Sequence, residues 1–202
     1  MKKGLKHDFT LISLLLIPVG VSVNVVGYQL SSILKLPVFI DMIGTMFVSI
    51  VAGPWIAGLT GLLGNFVSGM LNPVSIPYGL VSLTVGLLSG YFSSWKWYKN
   101  FVGIFLGCVI LAVASAFVSA IVTVFVFGGV TGAGVDVLTA TFLAAGKELW
   151  NSVLSMTLIS GIFNIVINFS ISWVIVRKVP DRFLVKLNYG NVFVKKEAVK
   201  YE

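Results

Sequence analysis

The stretch LPVFIDMIGTMFVSIVAGPWIAGLTGLLGNFVSGMLNPVSIP, residues 36–77, decides how this chain folds. It opens an uncharged run, 42–95, that is too long for one helix, and Asn72, Pro73 and Pro77 divide that run. Proline removes a backbone donor that lipid cannot replace, so a loop is expected at 72–78. Near the middle of the stretch, Gly53-Pro54 offers a turn. Whether the chain reverses there sets the direction of every later segment.

The solvent around most of the chain is read from composition. Of 202 residues, 57% are hydrophobic and 10% charged, with mean hydropathy +1.02, whereas soluble domains carry about 25% charged residues. Uncharged apolar runs at 9–34, 42–95, 100–135 and 149–176 each exceed the roughly 20 residues that cross a bilayer. The first run, at 26 residues, is longer than a signal-peptide core and has no small-residue cleavage site before Lys35, so it is expected to persist.

Charge placement favours reversal at Gly53-Pro54. Two crossings in the deciding stretch give six helices, at 9–33, 37–52, 54–71, 78–95, 101–127 and 149–176, with both termini inside. Lys2, Lys3, Lys6, Lys96, Lys99 and the seven basic residues from Arg177 to Lys200 are then cytoplasmic, twelve of fourteen, and only Lys35 and Lys147 face outward. One crossing would move the loop at Lys96 and the basic tail outside, against the positive-inside rule.

The expected fold class is therefore an all-α integral membrane protein: a bundle of six transmembrane helices with cytoplasmic N and C termini. Residues 1–178 form the transmembrane domain and 179–202 a basic cytoplasmic tail. Helices two and three are short and are expected to lean on their neighbours. Trp95, Trp97 and Tyr98 suit an interfacial belt. Segment 128–146 reads as an outer loop with a short helical stretch at 136–145. Small residues recur on helix three (Gly53, Ala57, Gly61, Gly64) and helix five (Ala112, Ser115, Ala116, Ser119, Ala120), as bundle packing or as docking to another membrane subunit.

The formal charge of +7 lies at the edges of apolar runs, which points to topology and anionic lipid rather than nucleic acid. The single cysteine, Cys108, forms no intrachain disulfide and reads as a small core residue. Nucleotide-binding, metalloprotease and nucleophile-elbow motifs are missing, so no enzyme activity and no cofactor or metal is expected. His7 and Asp8 read as solvated residues before helix one.

Polar residues at membrane depth gather toward the outer face. Asn24, Tyr28 and Gln29 lie on helix one, Asp41 at the start of helix two, Asn65 on helix three, and Asn72, Ser75 and Tyr78 in the loop. Lys147, Glu148, Trp150 and Asn151 open helix six, where Lys147, Trp150, Asn151 and Leu154 share one side. Such groups are costly in a membrane and mark binding sites by default. The expected substrate contacts are Tyr28, Asp41, Asn65, Asn72, Tyr78, Lys147, Glu148, Trp150 and Asn151. Tyr78 and Trp150 would stack, the asparagines would hydrogen-bond, and Lys147 or Glu148 would meet a polar substituent. Asp41 serves equally as a cap of helix two, and Asn164 and Asn168 read as interhelical hydrogen-bonding groups.

With these residues in place, the chain resembles the substrate-binding S components of energy-coupling factor (ECF) vitamin transporters. The likeness is strongest over residues 36–77, with an apolar-proline entry, a Gly-Pro turn and a glycine-rich third helix. Where that family shows a stripe of spaced alanines on helix one, this chain has Ser13, Gly20, Ser22 and Gly27. The resemblance implies binding of a small water-soluble vitamin or precursor in a bacterial cytoplasmic membrane, with a leaning toward pyridoxine-like or hydroxymethylpyrimidine-like rings. It also implies import together with a transmembrane T component and two ATPases. The ligand would lie near the outer face under Lys35–Asp41, Asn72–Tyr78 and Gly128–Lys147. The competing expectation is a membrane sensor or scaffold module without transport activity.

Overall fold

The computed structural model describes residues 5–190 and 193–194, and these are all helix, turn and loop, with no strand. In chain order the helices are α1 (Leu5–Asp8), α2 (Leu11–Ile33), α3 (Ile43–Ala52), α4 (Pro54–Gly69), α5 (Gly79–Ser94), α6 (Phe101–Phe127), α7 (Asp136–Ala144), α8 (Leu149–Lys178) and α9 (Asp181–Leu184). Short 3-10 turns at Pro73–Ser75 and Trp97–Lys99 lie in the connections.

Three helices, α2, α6 and α8, are long and apolar enough to cross a membrane. Their outer faces expose large apolar side chains, among them Leu15, Val26, Phe105, Phe117, Phe163 and Val174. Water would not tolerate so continuous an apolar surface, and lipid does; the protein is membrane-embedded.

The remaining three bundle helices are shorter. Helix α3 starts at Ile43, not at residue 37, and has only 10 residues, about 15 Å of rise, half of a bilayer core. Residues 34–42 form an irregular segment instead. The reason lies in α8: Asn164 Oδ1 accepts from Phe39 N (2.9 Å), Asn168 Oδ1 accepts from Met42 N (3.0 Å), and Asn168 Nδ2 donates to the Phe39 carbonyl (2.8 Å). Those side chains replace the bonds that another helical turn would make. Nine of the ten residues of α3 are buried, so neighbours rather than lipid surround it.

The N-terminus of this half-length helix is satisfied from outside. Asn24 on α2 accepts from Gly44 N (2.8 Å) and Thr45 N (3.3 Å) and donates to Thr45 Oγ1 (2.7 Å). A helix start leaves several N–H groups without intrahelical partners, and here a buried amide on the next helix serves as the cap.

Small residues let the helices touch backbone to backbone. A Cβ on Gly44 would overlap the Gly20 carbonyl, and one on Gly27 would overlap the carbonyl of Ile40. On α4, Ala57 meets Gly86, and a Cβ on Gly61 would lie 2.7 Å from the Ser82 carbonyl oxygen. Ala112, Ser115 and Ala116 on α6 face Gly161 of α8. The small residues of α2, α4 and α6 are thus used inside the bundle. These registers also fix directions, since residues 20 and 27 pair with 44 and 40, and 57 and 61 with 86 and 82. Successive helices alternate, and the connections at 34–42, 70–78 and 128–148 share one end.

At the opposite end the first described helix, α1, and residues 184–190 converge on the turn at Gly53. The Asp8 carboxylate accepts from Tyr189 OH (2.9 Å) and Trp55 N (3.4 Å), while Tyr189 N donates to the Val51 carbonyl (3.3 Å). Asp8, expected to be solvated, is 1% exposed; His7 remains exposed. Within the tail, Leu184, Leu187 and Tyr189 are buried, the two leucines within the main core. Lys2, Lys3, Lys195, Lys196 and Lys200 lie outside the described residues. Tyr98 is also 1% exposed, and its hydroxyl joins a buried chain with Ser89 (2.8 Å) and Ser49 (2.7 Å), so it belongs to the core and not to an interfacial belt.

Burial pushes the Asp8 carboxyl above its ordinary value of 3.8, against the lowering influence of Tyr189, Trp55 and His7. The folded chain therefore holds this proton more tightly than the unfolded chain. Asp8 destabilises the fold above its raised pKa, and that penalty is relieved as pH falls through the raised value, levelling off below the ordinary one. The thermal midpoint of the detergent-solubilised protein should gain from acidification, and Asp8→Asn should lose Asp8's share of that gain. Identical pH profiles for the two proteins would refute this assignment.

Candidate functional site

A cavity of about 290 Å³ opens between the helices near the end that carries the 34–42, 70–78 and 128–148 connections. Its walls come from α2 (Tyr28, Ser31, Ser32), α4 (Asn65) and the start of α5 (Val81), α6 (Ser115, Ala116, Ser119, Thr123) and α8 (Met156, Thr157, Ser160, Gly161, Asn164, Ile165). Lys35, Leu36, Phe39, Asp41 and Met42 close one side, Asn72, Val74, Ser75 and Tyr78 a second, and residues 131–135 a third.

The first covering segment is held by side chains remote in sequence, the other two by side chains close to them in sequence. Asn164 and Asn168 clamp 39–42, as described, and Ser31 Oγ accepts from Ile40 N (3.0 Å). Ser75 Oγ donates to the Asn65 carbonyl (2.9 Å), and the Asn72 side chain accepts from Val74 N (3.2 Å), which fixes the short turn after α4. Asp136, at the head of α7, accepts from Thr131 N (2.8 Å), Thr131 Oγ1 (3.1 Å) and Gly132 N (2.6 Å). That network curls 131–134 over the cavity, where a Cβ on Gly134 would lie 2.7 Å from the Lys35 carbonyl oxygen. The first and third covers therefore meet at Gly134.

Of the nine residues expected to touch substrate, Tyr28, Asp41, Asn65, Asn72 and Tyr78 line this cavity. The Tyr78 ring stacks on Phe127 at 5.8 Å, and its hydroxyl shares a hydrogen bond with Thr123 Oγ1 (2.7 Å). Asn65 Nδ2 is engaged with Ser82 Oγ (2.6 Å) and the Gly61 carbonyl (3.1 Å), leaving Oδ1 uncommitted.

No family model, curated protein or solved structure matches the chain. The site is accordingly read from its own geometry.

Lys147, Glu148, Trp150 and Asn151 do not line the cavity. Lys147 is exposed, with its ammonium 4.5 Å from the Phe142 ring centre and 3.4 Å from Ser155 Oγ. Trp150 packs edge-on against Phe125 at 6.3 Å, while Glu148 and Asn151 are exposed. The cause is depth along α8. The helix reaches the cavity only from Met156 onward, and seven residues of helix rise about 10 Å.

The rest of the polar wall combines Ser115, Ser119 and Asn164, which the sequence places in helix packing, with Thr123, Thr157 and Ser160, which the sequence analysis does not single out. Ser115, Ser119 and Thr123 follow one another at four-residue intervals on α6, and Thr157, Ser160 and Asn164 do so at three and four on α8. That spacing is the signal that places them on shared helix faces.

Among the described residues, no group of three or more His, Cys, Asp or Glu side chains is arranged to hold a metal ion. The cavity combines one carboxylate, one ammonium at the rim, several hydroxyls and amides, and a larger share of aromatic and aliphatic wall.

Proposed function

We propose that this chain is a membrane-embedded binding protein for a small water-soluble vitamin or vitamin precursor. In this reading it is a substrate-binding S component of an ECF importer, acting with a T component and two ATPases in the bacterial cytoplasmic membrane. All six bundle helices traverse the membrane or its half-depth, with both termini and the Gly53 turn inside and the cavity facing outside. The positive-inside rule supports this orientation, because Lys96, Lys99, Arg177 and Lys178 sit at the end opposite the cavity.

The observation that carries the proposal is a cavity between apolar helices whose largely apolar wall carries a few polar groups, covered by three separately anchored connections. Its volume of about 290 Å³ lies at the bottom of the usual range for ligand pockets, roughly 300 to 1,000 Å³, which favours a single ring with small substituents. A pyridoxine-like or hydroxymethylpyrimidine-like compound fits that description.

Screening the purified chain against the B vitamins and their ring precursors by thermal shift tests the reading. A ligand at a hundredfold its Kd adds about 2.7 kcal/mol of stability, so a true substrate should raise the melting midpoint by roughly 5 °C or more. A screen with no shift from any of these compounds would defeat the proposal.

A further inference from the structure

Asp41 and Lys35 are the charged side chains that line the cavity among the described residues. They are not equivalent: Lys35 is exposed at the rim, whereas Asp41 is half-buried, between the clamped backbone of Phe39 and the buried start of α3. The side-chain hydrogen bonds around Asp41 run to the backbone of Phe39, Ile40 and Met42, and among the described residues no side chain donates to its carboxylate. A half-buried carboxylate facing a cavity in an apolar bundle without a counter-ion is costly, so it calls for a partner that would enter the cavity.

The surrounding polar groups have a matching bias. Ser75, Ser115, Thr157 and Ser160 spend their hydroxyl protons on the carbonyls of Asn65, Ala112, Leu154 and Met156. A hydroxyl has one proton and two lone pairs, so these four line the cavity as acceptors. Asn65, with both donated bonds directed away to Gly61 and Ser82, adds its free Oδ1. The inner wall thus offers a negative charge and an excess of acceptors.

Resting on the vitamin-binding reading above, we propose that the ligand is selected by a protonated nitrogen bearing N–H groups, an ammonium or aminopyrimidinium type of cation, which Asp41 binds directly. Anionic vitamins are rejected by the same carboxylate. Lys35 at the rim leaves room for an anionic or hydroxylated substituent at the outer end only.

Isothermal titration of the full chain in detergent tests this with a matched pair, pyridoxamine and pyridoxine, which differ in an ammonium for a hydroxyl. The aminopyrimidine half of thiamine, titrated at mildly acidic pH where its ring nitrogen is protonated, serves as a second cationic probe, and nicotinate and pantothenate as anions. A cationic probe should bind best, and Asp41→Asn should weaken it by about thirtyfold or more, the usual consequence of removing one partner of a buried charge pair. The selectivity series on the unaltered protein gives the answer even if that variant folds poorly. Tightest binding of nicotinate, pantothenate or pyridoxine, or no loss with a folded Asp41→Asn, overturns the inference while leaving vitamin binding intact. If no vitamin of any charge binds, the functional reading falls and this inference with it.

Discussion

Replacing Gly53 by valine is expected to abolish recovery of monodisperse protein, and alanine there should lower the melting midpoint sharply. The turn residue has φ 101° and ψ 176°, a region that only glycine occupies without strain, at a cost of about 1–3 kcal/mol for other residues. Space is lacking as well. A Cβ would overlap the Tyr189 ring and come within 3.0 Å of the Asp8 carboxyl group, and overpacking of this kind costs roughly another 1–3 kcal/mol. The sum, about 2–6 kcal/mol, reaches the lower end of the stability of an ordinary domain, about 5–15 kcal/mol. Asparagine should not rescue the site, because its tolerance of positive φ is confined to the left-handed helical region and does not extend to ψ near 180°. Size-exclusion profiles and thermal melts of the alanine, asparagine and valine variants provide the check. An alanine variant that melts with the unaltered protein would show that neither strain nor the clasp of Asp8 and Tyr189 matters.

Asn24→Leu should be nearly as damaging, for a different reason. The amide is 2% exposed and is the partner of Gly44 N, Thr45 N and Thr45 Oγ1. Leucine keeps the bulk and removes the acceptor, leaving two N–H groups at a buried helix start. Each orphaned buried group costs about 1–3 kcal/mol, so a loss of roughly 2–6 kcal/mol follows. Aspartate should be tolerated better than leucine, since it retains the acceptor and suits the positive end of a helix. Ligand affinity should fall with stability in the leucine variant, because α3 begins two residues after Asp41. Thermal melts of both variants decide the matter, and equal stability of Asn24→Leu and the unaltered chain would remove Asn24 from its capping role.

These two residues show how differently parts of the fold were legible. The Gly-Pro pair announces a turn by its backbone chemistry alone, and α4, α5, α6 and α8 begin and end within two residues of the expected limits. The short helix α7 likewise falls at Asp136–Ala144, beside the expected stretch at 136–145. Proline, glycine and charge are local, and they limit a helix wherever it packs. Helix α3 is six residues shorter than the sequence suggests, because nothing in residues 37–42 says that Asn164 and Asn168, about 125 positions later, take over their backbone bonds.

The candidate site divides along the same line. Asp41, Asn72 and Tyr78 adjoin breaks in the helices, and Tyr28 and Asn65 lie a turn or so inside the ends of α2 and α4, so sequence position alone brings them near the cavity end. Lys147, Glu148, Trp150 and Asn151 also adjoin a helix start, yet α8 extends beyond the cavity and carries them past it. The sequence by itself determined that the chain is helical, membrane-embedded and reversed at Gly53, because composition, charge and backbone freedom act residue by residue. Only the tertiary structure decided which polar groups meet around one cavity. Depth along a helix and the partner of each buried N–H depend on how neighbouring helices slide and cross, and those offsets are set by packing between residues remote in sequence.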